Sequence, residues 1–151
     1  MLRYANYDIV FLEVPNEVTL AVNIAGCPRR CRGCHSPHLQ EDSGDPLTGN
    51  VLSEWLAAYG KAITCVCFMG GDREPEEVLK LAKIVRQYPK KTAWYSGNAV
   101  PCEGALPLFD FIKLGHYVDT LGALDSPDTN QRFYSVENGK MIDRTAAFWP
   151  H

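Results

Sequence analysis

Apolar residues follow two rhythms along this chain, short β-branched runs and longer helical repeats. Tyr7 to Val14 and Val18 to Ala25 are apolar runs parted by Pro15, Asn16 and Glu17, a pattern that predicts a hairpin or an edge strand feeding a core strand. Gly26 ends the second run. From Cys27 to Asn50 no period is visible and Gly, Pro, Ser, Asp and His predominate, so a long irregular segment is expected there. Segments of that length are usually functional or disordered, and three cysteines favour function.

Val51, Leu52, Trp55, Leu56 and Tyr59 then recur at helical spacing, with Thr48 or Asn50 as N-cap and Gly60 to end the helix. Ala62 to Met69 reads as a short buried strand ending in Gly70-Gly71-Asp72. Pro75 opens a second helix where a missing N–H costs nothing, Glu76 and Glu77 complement its dipole, and Val78, Leu81, Ala82 and Val85 form its apolar stripe up to Tyr88-Pro89. Thr92 to Tyr95 predicts a strand, Leu106 to Phe109 part of a short helix, and Phe111 to Leu114 another strand. Arg132 to Val136 and Met141 to Arg144 flank Asn138-Gly139, a hairpin signal.

Alternating strands and helices imply a parallel sheet with functional loops at the carboxyl ends of its strands. The cysteine segment, Gly70-Gly71-Asp72, Ser96-Gly97 and Gly115-His116 are then expected on one edge. The 151 residues fall short of the roughly 250 that eight β/α units need. The expected fold is therefore α/β, an incomplete β/α barrel or an open, curved, mostly parallel sheet with helices outside, in a single domain spanning 1–151.

Composition narrows the function classes. Hydrophobic residues are 46% and charged residues 22%, which excludes a disordered or collagenous chain. The net charge is -3 and no run of Lys and Arg extends beyond the short group Arg29, Arg30 and Arg32, so no nucleic-acid partner is expected. No stretch of eighteen apolar residues occurs, and Met1 to Val14 mixes Arg3, Asn6, Asp8 and Glu13 with apolar residues, so no membrane partner is expected and a cytoplasmic location is.

Six cysteines in such a chain point to metal or redox chemistry before a disulfide framework. Cys27-x3-Cys31-x2-Cys34 can wrap a 4Fe-4S cubane, because each short arm lets one sulfur face a different iron. One iron then lacks a protein ligand, which separates a reactive centre from a closed structural one. The competing reading is a structural zinc site completed by His35 or His38, although zinc arrays favour paired Cys-x2-Cys arms and only Cys31 and Cys34 form one.

With Gly70-Gly71-Asp72 after the next strand, this loop resembles the radical S-adenosylmethionine superfamily. The resemblance implies a 4Fe-4S cluster on Cys27, Cys31 and Cys34, and S-adenosylmethionine as its outside ligand, cleaved reductively to a 5'-deoxyadenosyl radical. It also implies that Gly70, Gly71 and Asp72 meet the methionine amino group. Gly33 stands where many members carry an aromatic residue, which leaves adenine to His35 or to backbone. Ser96 and Lys113 are candidates for the ribose or the methionine carboxylate, with a capping serine and a solvated lysine as their plainer readings.

Gly26-Cys27 with Gly33-Cys34-His35, Trp94-Tyr95-Ser96-Gly97, Lys113-Leu114-Gly115-His116-Tyr117 and Thr129-Asn130-Gln131-Arg132 further resemble the activating proteins of anaerobic ribonucleoside-triphosphate reductase. That branch implies a protein substrate, whose glycine loses a hydrogen to leave a glycyl radical, and an external electron donor. Related expectations are an activase of the pyruvate formate-lyase type and a small radical synthase; a non-catalytic zinc module is the expectation of a different class. Cys65 and Cys67 alternate in a buried strand and read as core, and Cys102 lies in a loop. Asn130-Gln131-Arg132 either dock a partner or bond the loops internally, and Arg29, Arg30 and Arg32 either steer a partner or are a solvated face.

Overall fold

The computed structural model describes residues 2–25 and 44–149. In chain order the strands are β1 Arg3–Val10, β2 Thr19–Ile24, β3 Asp45–Pro46, β4 Cys65–Met69, β5 Lys91–Tyr95, β6 Phe111–Leu114, β7 Arg132–Glu137 and β8 Lys140–Asp143. Helix α1, Gly49–Tyr59, precedes β4, and α2, Pro75–Val85, joins β4 to β5.

All eight strands form one sheet in the order β3-β1-β2-β4-β5-β6-β7-β8. The centre, β2-β4-β5-β6, is parallel, while β3-β1-β2 on one side and β6-β7-β8 on the other pair antiparallel. The sheet is therefore mixed, with parallel pairing confined to its centre, and among the described residues its outer strands β3 and β8 do not pair with each other.

Strand chemistry explains the layout. β2, β4 and β5 are nearly continuous apolar runs buried along their length, as strands covered on both faces must be. One face carries Leu20, Val22, Val66, Phe68, Trp94 and Ile112, and α1 and α2 bury Leu52, Leu56, Val78, Leu81 and Val85 in the same core. Cys65, Cys67, Ala93 and Phe133 share the opposite face with Val14. The α1 N-cap is Thr48, whose hydroxyl accepts from the amide of Val51 at 3.2 Å, while Asn50 lies inside the helix. In α2, Pro75 sits in the first turn, Glu76 and Glu77 meet the positive end of the dipole, and Lys83 meets the negative end.

Three boundaries differ from the sequence expectations. β1 runs from Arg3 to Val10 instead of Tyr7 to Val14, because its start is held between β2 and β3 while Val14 folds back, fully buried, onto the face away from the helices. Asp45–Pro46, expected to be irregular, forms the short strand that pairs with Arg3 and Tyr4. Leu106 to Phe109 is a turn and not a helix: the amides of Leu108 and Phe109 both close onto the carbonyl of Ala105. The Asn138-Gly139 hairpin forms as expected, with φ of 54° and 76° at its two central residues. Among the described residues, no helix is long and apolar enough to cross a membrane.

Candidate cofactor edge

The parallel ladder aligns the strand exits. Asn23, Met69, Tyr95 and Lys113 stand in register across β2, β4, β5 and β6, so the turns that follow these strands lie along one edge. Gly70, Gly71, Asp72, Ser96 and Lys113 are all brought to that edge. Cys27, Cys31, Cys34 and His35 lie outside the described residues, and Cys27 follows Ile24, the last residue of β2, by three positions in the chain.

The Gly-Gly-Asp turn is shaped by its neighbours. Gly70 and Gly71 have φ of 108° and 88°, values that favour glycine. A Cβ on Gly70 would approach the carbonyl oxygen of Ile24 to 3.1 Å, so this turn packs directly against the exit of β2. The amide of Gly70 donates to the carbonyl of Tyr95 at 3.0 Å, and the indole Nε1 of Trp94 donates to the carbonyl of Gly70 at 2.8 Å.

Asp72 reaches sideways to β5. Its Oδ1 accepts from the Ser96 hydroxyl at 2.6 Å and its Oδ2 from the Gly97 amide at 2.8 Å. One strand further, the Ser96 amide donates to the carbonyl of Lys113 at 2.9 Å, and the Gly115 amide donates to the carbonyl of Asn98 at 2.8 Å. The Lys113 ammonium donates to the carbonyl of Gly115 at 3.1 Å and lies 6.0 Å from the centroid of the Tyr95 ring, an arrangement that holds a cation at the edge.

The Thr129 to Arg132 segment closes the row. Gln131, buried, donates its side-chain amide to the Gly115 carbonyl at 3.3 Å, Asn130 donates to the carbonyl of His116 at 3.1 Å, and the Thr129 hydroxyl donates to the carbonyl of Gly122 at 3.0 Å. Asn130 and Gln131 thus bond the loops internally. Trp94 and Asn98 are parts of the edge that sequence reasoning did not single out for it. The Trp94 indole meets a carbonyl 24 residues away and the Asn98 backbone carbonyl an amide 17 residues away, so neither pairing has a local signal.

The remaining cysteines do not suit a cluster. Burial pushes the Cys65 thiol up to about 12, with the Glu17 carboxylate adding to the effect, and burial also raises Cys67 well above its ordinary value. Both are fully buried in β4 and held as neutral thiols, whereas iron requires thiolates. Cys102 is raised by burial and by the Glu76 and Glu103 carboxylates. Among the described residues, no group of three or more His, Cys, Asp or Glu side chains is placed to hold a metal ion. Cys27, Cys31 and Cys34, the cluster ligands expected from the sequence spacing, lie outside the described residues.

A cavity of about 590 Å³ lies elsewhere, lined in part by Glu17, Thr64, Arg86, Lys90, Lys91 and Asp110. Its cations are engaged: Arg86 with Asp110 at 2.7 Å, Lys91 with Glu17 at 3.4 Å, and Lys90 with the carbonyls of Gly60 and Ile63. The strand-exit edge, with its glycine turns and converging polar groups, is the better candidate.

No curated protein and no solved structure matches the chain. A family model described as a 4Fe-4S single cluster domain matches residues 17–102, more than half of the chain, spanning the three clustered cysteines and the turns after β4 and β5. On that match, with the cysteine spacing and the edge built beside it, this chain belongs to the 4Fe-4S single cluster domain family.

Proposed function

We propose that this iron-sulfur protein is a radical S-adenosylmethionine enzyme of the glycyl-radical activating kind, acting on an anaerobic ribonucleoside-triphosphate reductase. The observation that carries the reading is the packing of the Gly70-Gly71-Asp72 turn against Ile24, at the point where the chain runs on to Cys27, Cys31 and Cys34. In this reading those cysteines bind three irons of the cluster and leave the fourth for an outside ligand.

When bound, the cluster and S-adenosylmethionine would supply one-electron cleavage of a carbon-sulfur bond and, through it, removal of a hydrogen atom from a partner glycine. An external donor supplies the electron. The chain's own part is to bind and orient. Gly70 and Gly71 let the methionine end approach the backbone, and Lys113, held beside Gly115, places a positive charge on the edge where a carboxylate needs one. The lattice from Asp72 to Gln131 keeps the exits of β4, β5 and β6 in fixed relation, which is what orienting a reactive ligand demands.

The test is anaerobic reconstitution with iron and sulfide, reduction, and incubation with S-adenosylmethionine and a candidate reductase. A glycyl-radical doublet on the partner together with 5'-deoxyadenosine supports the activase. Deoxyadenosine without the doublet points to another substrate, of pyruvate formate-lyase type or a small molecule. A colourless chain that keeps zinc and ignores S-adenosylmethionine overturns the reading.

A further inference from the structure

Two side chains expected to touch the cofactor touch each other. Ser96 is 5% exposed, and its single hydroxyl proton goes to Asp72 at 2.6 Å while its oxygen accepts the Asn98 amide at 3.0 Å. With that proton committed, the hydroxyl has no donor left for a ribose or a carboxylate. Both oxygens of Asp72 are also engaged, one by Ser96 and one by the Gly97 amide at 2.8 Å. The result is a closed unit in which a carboxylate at the exit of β4 fixes the backbone from Ser96 to Asn98 at the exit of β5. Asn98 passes the constraint on through its carbonyl to Gly115 at 2.8 Å.

We propose that Asp72 is a positioning residue for S-adenosylmethionine, acting through the Ser96–Asn98 turn and not by contact of its carboxylate with the ligand. This rests on the reading that the strand-exit edge receives S-adenosylmethionine. The competing arrangement is direct contact, since an ionised carboxylate can accept about four hydrogen bonds and only two are used. The two arrangements differ in how Asp72 and Ser96 combine. If Asp72 works through the turn, releasing the turn from either side has the same consequence, and releasing it twice adds little.

The experiment is a double-mutant cycle on the full chain, with Asp72→Asn, Ser96→Ala and both together. S-adenosylmethionine affinity is measured on the cluster-loaded protein, and amide hydrogen exchange at Gly97 and Asn98 on the cluster-free protein. Each single change is expected to weaken binding about tenfold and the double change about tenfold as well, because coupled residues are not additive. Exchange at Gly97 and Asn98 is expected to quicken in both single variants, and Ser96→Thr, which keeps the hydroxyl, should restore both readouts. An additive cycle, with the double variant weakened about a hundredfold, overturns the proposal in favour of direct contact, as does unchanged exchange in Asp72→Asn. A wild-type chain that binds no S-adenosylmethionine overturns the underlying reading and the proposal with it. That failure is distinct from an additive cycle in a chain that does bind.

Discussion

The indole of Trp94 donates to the carbonyl oxygen of Gly70 at 2.8 Å, so a core residue of β5 also anchors the turn that leaves β4. Trp94 is 2% exposed and its ring stands 5.5 Å from that of Phe109. Its apolar body and its one polar atom therefore serve different ends. Trp94→Phe keeps most of the packing and leaves the Gly70 carbonyl without this donor, which should cost about 1–2 kcal/mol. Trp94→Ala empties the site and should cost about 3–5 kcal/mol. Urea unfolding of the two variants measures the difference, and no loss in Trp94→Phe would show that the indole nitrogen contributes nothing.

Gly115 and Gly139 both have positive φ, 100° and 76°, but their surroundings differ. A Cβ on Gly115 would lie 3.2 Å from both the Asn130 carbonyl oxygen and the Gln131 Cα, whereas one on Gly139 would meet nothing within 4 Å. Gly139→Ala should cost about 1 kcal/mol for its backbone alone. Gly115→Ala adds the collision with the chain entering β7 and should cost about 2–3 kcal/mol. Thermal melts of the two variants decide this, and a smaller loss at Gly115 would mean that the contact relaxes.

How far the sequence disclosed this architecture follows from the range of the forces involved. Helix α2 was legible because proline, acidic first turn and apolar stripe are all local signals. β4, β5 and the Asn138-Gly139 hairpin were legible for the same reason. The end of β1 was not: Val14 is as apolar as a strand residue but packs back against Cys65 and Cys67, a contact some fifty residues distant. Nor could the run of Asp72, Ser96 and Gly97 announce their bonding, which depends on β4 and β5 lying parallel with Met69 opposite Tyr95. The cysteine spacing pointed to the cluster by itself, because three cysteines within eight residues form a local pattern.

Cys65 supplies a pH dependence. Its thiol has a pKa of about 12 in the fold against an ordinary 9.0, chiefly through burial. A group raised in this way favours the folded state fully below its unfolded value and loses that contribution as pH rises through its folded value. Stability should therefore fall between about pH 9 and pH 12 as the unfolded chain gives up a proton that the native strand retains. Cys65→Ala should flatten this decline. Unfolding midpoints taken at pH 8 and pH 10.5 check it, and an unchanged slope in the variant would assign the decline to Cys67, Tyr95 or other groups.

The division of the cysteines into two chemical classes gives the sharpest contrast. Cys31 stands in the spacing that wraps a cluster, while Cys65 is a neutral thiol sealed beneath Val14 and Phe133. Cys31→Ala should lose the cluster, seen as loss of iron and of the brown absorbance after anaerobic reconstitution. Cys65→Ala should retain both, at some cost in stability from the small space it leaves. Because Cys65 is fully buried in β4, a cluster lost only through unfolding would also fail in Cys65→Ala. Iron retained by Cys65→Ala and lost by folded Cys31→Ala thus separates ligation from packing, and equal iron loss in two folded variants would sink the assignment.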